Sequence, residues 1–167
     1  MNQVADNPYV APEAELERQH DTGDLSVFPR FTTWAVFGLT IITLGIYAMY
    51  WLYNRTRKLN SICDDRIANG FVAAAIGMYV ASGVSSIVVS AADPYSTSGS
   101  LMLIDSLLGI ASYILTLVWV YKFRNRLNRI TNSQGKPTWA GPILTFFFSV
   151  FYLSYKVNQH LDIRASR

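Results

Sequence analysis

Four stretches of the chain, residues 31–54, 67–92, 94–121 and 137–155, cover 97 residues and contain one charged side chain, Asp105. The other 70 residues carry the remaining 24 charges. Crossing the hydrocarbon of a bilayer takes about 20 apolar residues. Three of the stretches reach that length and the fourth is marginal. Charged residues make up 15% of the chain, against about 25% in soluble domains. This pattern excludes an ordinary soluble globule and a disordered chain. The expected fold is all-α: a polytopic membrane bundle of four transmembrane helices, the fourth short or re-entrant, with interfacial amphipathic helices.

Three regions follow. Residues 1–30 form an acidic leader, 31–163 a helical membrane domain, and 164–167 a short C-terminal tail. The leader carries Asp6, Glu13, Glu15, Glu17, Asp21 and Asp24 against Arg18 and Arg30. A cleaved signal begins basic and then turns apolar, so the run from Phe31 is expected to act as both insertion signal and span. Asn7-Pro8-Tyr9-Val10-Ala11-Pro12 disfavours helix, and a flexible tail is expected. The one cysteine, Cys63, permits no intrachain disulfide. A net charge of +3 is too small to indicate nucleic acid as a partner.

The first expected span, 31–53, has aromatic residues at both ends, as the headgroup level favours. Gly45, after Thr40 and Thr43, predicts a bend or break. Beyond it, Leu59, Ile62, Cys63 and Ile67 have the spacing of a short helix lying on a membrane surface. The second span, 71–92, repeats Ala73, Gly77, Ala81 and Ser85 every four residues. Small residues at this interval make a groove for close helix packing, and the sequence leaves open whether the partner is internal or a second molecule. The third span, 101–121, leads into a basic segment, and the fourth is 139–155.

Basic residues set orientation. The segments 54–70 and 122–138 carry four and five of them, and 93–100 carries none. With four spans, both termini are expected on the side opposite the two basic segments. Lys156, Arg164 and Arg167 conflict with that arrangement. Trp51, Tyr53, Arg55, Arg57 and Lys58 after the first span, and Trp119, Tyr121, Lys122, Arg124 and Arg126 after the third, are expected along the lipid headgroups.

Three helix ends look alike. Tyr53, Tyr121 and Tyr155 are each followed five residues later by Lys58-Leu59-Asn60, Arg126-Leu127-Asn128 and His160-Leu161-Asp162. The first two also share Trp51 and Trp119 two residues before the tyrosine. Internal duplication and convergence on one interfacial solution both fit this pattern.

Thr40-Ile41-Ile42-Thr43-Leu44-Gly45-Ile46-Tyr47, then Tyr50-Trp51 and a basic stretch ending Lys58-Leu59-Asn60, resembles the signature of a bacterial membrane family known as domain of unknown function 4234. The resemblance spans about 28–163, with specific motif content in 31–62. It implies a multi-span protein of the bacterial inner membrane and supplies no catalytic residues.

The search for chemistry is sparse. His20 and His160 lie far apart, and H-E-x-x-H, P-loop, G-x-G-x-x-G and G-x-S-x-G patterns are absent. Asp64-Asp65 are adjacent and do not share a helix face, so they read as a solvated pair, not a metal site. Cys63 lacks a histidine partner in sequence. No cofactor and no metal are expected. Asp105, about one turn inside its span, reads either as a helix-start or polar contact or as an ion site. The leading expectation is a non-enzymatic accessory, scaffold or assembly subunit contacting membrane lipids and a helix partner, in a homo-oligomer or a membrane complex. The alternative is a small oligomeric transporter or channel using Asp105.

Overall fold

A computed structural model describes residues 25–92, 98–136 and 138–165, so most of the acidic leader and residues 93–97 lie outside it. The described residues form five helices and no strand: α1 Thr33–Ile42, α2 Ile46–Asn60, α3 Asn69–Ala91, α4 Gly99–Ile130 and α5 Pro142–Ala165. Only α3 and α4 are long and apolar enough to cross a membrane. The expectation of four transmembrane helices is corrected here, because the first and fourth apolar stretches fold back on themselves.

The first reversal falls at the predicted break. Thr43, Leu44 and Gly45 separate α1 from α2, with Leu44 at φ 50° and Gly45 at φ 94°. The Gly45 N–H donates to the Thr40 carbonyl (2.8 Å), and the Thr43 hydroxyl accepts from the Tyr47 N–H (2.9 Å). A side chain at Gly45 would place its Cβ 2.7 Å from the Tyr79 hydroxyl, so both conformation and space demand glycine. The two arms run antiparallel. Arg55 and Lys58, near the end of α2, reach the carbonyls of Pro29 and Val27 ahead of α1.

The second reversal divides α5 at Ser149, which has φ 40° and ψ −117°. Its arms, 142–148 and 150–165, also lie side by side. The Gly141 N–H donates to the Tyr152 hydroxyl (3.0 Å), and the Trp139 ring lies 5.8 Å from that of His160. These dihedrals suit the first central position of a type II′ turn, where glycine is favoured. Ser149→Gly is therefore expected to raise stability by about 1 kcal/mol. Thermal unfolding in detergent measures this, and a lower melting temperature would contradict the assignment.

The described residues thus form three consecutive helical hairpins: α1–α2, α3–α4 and the folded α5. The outer two are short and the central one is long. Their returning arms meet in a core at one end, the base. Trp51, Leu52 and Leu59 of α2, Trp119, Val120, Phe123 and Leu127 of α4, and Leu153 and Val157 of α5 are all buried there. Leu25 and Phe28, ahead of α1, plug the same core. Away from the base the hairpins expose apolar side chains. Leu44 at the first tip is 89% exposed and Phe147 at the third is 72%.

The segment with Leu59, Cys63 and Ile67 is not a separate surface helix. α2 ends at Asn60, and all three side chains are buried in the basal core.

Candidate functional site

The base gathers the basic side chains. All twelve Lys and Arg among the described residues lie there, and among those residues Asp105 is the one charged side chain near the opposite end. The base is built by a contact made twice in the same form. Asn60 Nδ2 donates to the Ile67 carbonyl (2.8 Å), and Asn60 Oδ1 accepts from the Ile67 N–H (2.9 Å). Asn128 Nδ2 donates to the Ala140 carbonyl (3.2 Å), and Asn128 Oδ1 accepts from the Ala140 N–H (2.8 Å). Ile67 and Ala140 each lie two residues before the next helix. The end of each hairpin thus ties down the approach to the following one.

The third helix end closes the ring onto the first hairpin with different chemistry. Asn158 Nδ2 donates to the Phe31 carbonyl (2.8 Å), and Arg30 makes a two-pronged ion pair with Asp162 at 2.8 and 3.2 Å. The three similar helix ends of the sequence therefore occupy corresponding places. Two share one clamp, and the third substitutes an exposed ion pair.

Several side chains expected at the headgroups do architectural work instead. Trp51 and Trp119 are 3% and 0% exposed. The Trp119 indole N–H donates to the Thr56 hydroxyl at 3.0 Å. Their interfacial spacing cannot be told apart from core spacing in a single sequence, because a helix end that meets both lipid and a bundle presents apolar rings to each. Arg124 Nε donates to the Ala140 carbonyl (2.7 Å), beside the Asn128 clamp. Arg126 holds Asp65 by its carboxylate (2.8 Å) and by its carbonyl (2.6 Å), and Arg129 takes the other carboxylate oxygen at 3.1 Å. The outward-facing set is smaller. Arg57 lies over the exposed Tyr53 ring, and Lys122 lies over Phe71. The Tyr121 hydroxyl donates to the Pro142 carbonyl.

Arg55 is the most unusual of these residues. It is 4% exposed, stacks between the rings of Phe28 and Trp51 (5.4 Å to each centroid) and donates Nη2 to the Pro29 carbonyl at 2.7 Å. Its Nη1 and the Trp51 indole nitrogen have no acceptor. Burial pushes its pKa below the ordinary value, and Tyr47 acts the other way. The aromatic faces on both sides supply cation–π attraction in place of a carboxylate.

Asp64 and Asp65, expected as a solvated pair, part company, and Asp65 forms ion pairs. Asp65 alone bridges to α4. Desolvation acts to raise its pKa, and the combined attraction and hydrogen bonding of Arg126 and Arg129 outweigh it, leaving a net lowering from the ordinary 3.8. A carboxylate with a lowered folded-state pKa stabilises the fold above its unfolded pKa, and that contribution is lost as pH falls through the folded value. Wild type should therefore exceed Asp65→Asn in stability at neutral pH, and the gap should close on acidification below 3.8. Unfolding of both proteins between pH 7 and 3 checks this. A gap that widens in acid would refute it. The effect is modest and weakened by salt, because the carboxylate is 48% exposed.

Ala73, Gly77 and Ala81 are exposed and Ser85 is half-buried, so among the described residues no helix covers the first three positions of the small-residue stripe. A Cβ at Gly77 would meet nothing within 4 Å. Next to the stripe, Tyr53, Arg57, Asn69 and Val72 help line an open groove of about 810 Å³ between α2 and α3. Asp105 accepts a hydrogen bond from the Ser86 hydroxyl (2.9 Å), joining α4 to α3. Among the described residues, no three His, Cys, Asp or Glu side chains come together as a metal site.

The clamps at Asn60 and Asn128 were hidden in the sequence by their unequal reach, seven residues in one case and twelve in the other. The only signal was the repeated Leu-Asn after an aromatic helix end. No curated protein and no solved structure matches the chain. The sequence profile of the domain of unknown function DUF4234 matches residues 31–129, which include the first hairpin, the first clamp and the central hairpin. The chain is a member of the DUF4234 family.

Proposed function

We propose that this chain is a non-enzymatic, multi-pass protein of the bacterial inner membrane, serving as an accessory or assembly subunit of a membrane complex. The observation that carries the reading is the division of the molecule. A charged, internally bonded base supports three hairpins whose outer surfaces are apolar. α3 and α4 are too exposed to be core helices of a soluble protein, since only 11% and 6% of their most apolar windows are buried. The polar side chains at the base serve mainly to join hairpins, which favours a scaffold over a catalyst. With α1–α2 and α5 turning back, both ends of the membrane domain share the basal side. Lys156 and Arg164 then join the other basic residues there, and the positive-inside rule is met without exception among the described residues. The basic side is accordingly cytoplasmic.

The open stripe of Ala73, Gly77 and Ala81 is the surface this reading gives to a helix partner. Gly77→Leu should leave the chain's own melting temperature unchanged and dissociate the complex seen by native mass measurement in mild detergent, because leucine prevents close backbone approach. A complex of unchanged mass would reject the stripe as the contact. Membrane residence and sidedness are tested with Cys63→Ser as background and single cysteines at the exposed Ser61, Asn132 and Ser98. The chain should resist carbonate extraction. Positions 61 and 132 should be shielded from an impermeant reagent in intact cells, and position 98 should react. Ion flux in proteoliposomes that disappears with Asp105→Asn would replace this reading with a transporter.

A further inference from the structure

The two outer hairpins are too short to cross a bilayer. At 1.5 Å per residue, the ten residues of α1 reach about 15 Å, half of a 30 Å hydrocarbon slab. The first arm of α5, seven residues, reaches about 10 Å. The central hairpin provides an internal ruler. The Tyr79 hydroxyl donates to the carbonyl of Leu44 at the first tip (3.4 Å), and Tyr79 lies ten residues into α3, about 15 Å from its start. The first tip therefore ends at the mid-height of α3. The third hairpin rises from the same base, with Thr33 beside Ser154 and Phe37 against Phe151. Both tips expose bulky apolar side chains at a depth where a soluble protein would present polar ones.

We infer that the chain is a one-sided wedge that expands the membrane leaflet next to its basic base, and that it thereby senses and promotes curvature of that leaflet. The inference rests on the membrane reading above. Six helical arms occupy the basal leaflet and two continue through the opposite one. Each arm is about 10 Å across, so the four shallow arms add on the order of 300 Å² to a single leaflet. Shallow apolar insertion of this kind binds in a curvature-dependent way. The occupant of the apolar hairpin faces is thus the acyl region of one leaflet. Arg57 and Lys122 at the base suit its anionic headgroups, each cation near such a surface being worth about 1 kcal/mol.

The test uses the full chain in giant vesicles of phosphatidylethanolamine and phosphatidylglycerol, oriented with the base outward, from which narrow tubes are pulled. Enrichment on the tube over the parent vesicle should be about twofold or more. The double variant Leu44→Asp, Phe147→Asp should lose it while α3 and α4 still resist carbonate extraction. Both tips face away from the basal core, so the fold should survive. Should the double variant not fold, a nitroxide at Leu44→Cys gives the independent reading, and it should report mid-bilayer depth. Equal density on tube and vesicle overturns the wedge and leaves the membrane reading standing. So does a Leu44→Cys label reachable from the side opposite the base. A wild-type chain released by carbonate overturns both.

Discussion

Trp119→Ala should destabilise the protein by about 3–5 kcal/mol, the range for removing a large buried aromatic side chain. Trp119 has no exposed surface, and its indole N–H donates to the Thr56 hydroxyl on α2. Truncation therefore opens a cavity where the first and central hairpins meet and removes the bond between them. Trp119→Phe should cost less, because it keeps most of the ring volume and loses only the donor. Tyr53→Ala, which removes a ring 38% exposed, should cost least. Unfolding by a denaturing detergent, followed by circular dichroism, ranks the three. A Trp119→Ala loss below that of Tyr53→Ala would mean that Trp119 faces lipid, as its position in the sequence alone suggests.

Asn60→Ala should follow closely, with a loss of about 2–5 kcal/mol. Ile67 is 2% exposed, and both its N–H and its carbonyl bond to the Asn60 amide. Each buried backbone group left unpaired costs about 1–3 kcal/mol. Asn128→Ala should cost less, although the clamp looks the same. There the Ala140 carbonyl keeps a second donor, Arg124 Nε at 2.7 Å, so only the N–H is orphaned. Adding Arg124→Met to Asn128→Ala should remove that protection, giving a loss greater than the two single changes combined. Equal losses for Asn60→Ala and Asn128→Ala would show that the backbone bonds are not what the clamps contribute. Asn60→Asp separates the two halves of the first clamp, since aspartate still accepts from the N–H and cannot donate to the carbonyl.

On the proposed wedge reading, a hairpin that stops at mid-bilayer meets no water at its tip, so its backbone must be satisfied internally. At the first tip this falls to Thr43, to the left-handed Gly45 and to Tyr79. The remaining anchorage comes from the base, where Asn60, Asn128, Asn158 and Asp162 fasten each approach segment.

The helical class, the apolar stretches and the break near Gly45 were legible in the amino-acid order alone. These follow from local properties: charge density, run length and the conformational freedom of one glycine. The three similar helix ends were legible too. How those pieces turn was settled by the fold. A run of 24 uncharged residues spans a bilayer as one helix or enters and leaves as two short arms, and hydropathy is the same for both. The choice rests on contacts far apart in sequence, such as Arg55 with Pro29 and Tyr79 with Leu44. Ser149 gave no warning, because serine in an apolar helix is ordinary and the reversal shows only in contacts between the two arms, Gly141 with Tyr152 and Trp139 with His160. Trp51 and Trp119 passed for lipid anchors for the same reason. Whether an aromatic ring at a helix end meets lipid or another helix depends on what the fold brings opposite it, and that partner lies 63 residues away in the case of Trp119 and Thr56.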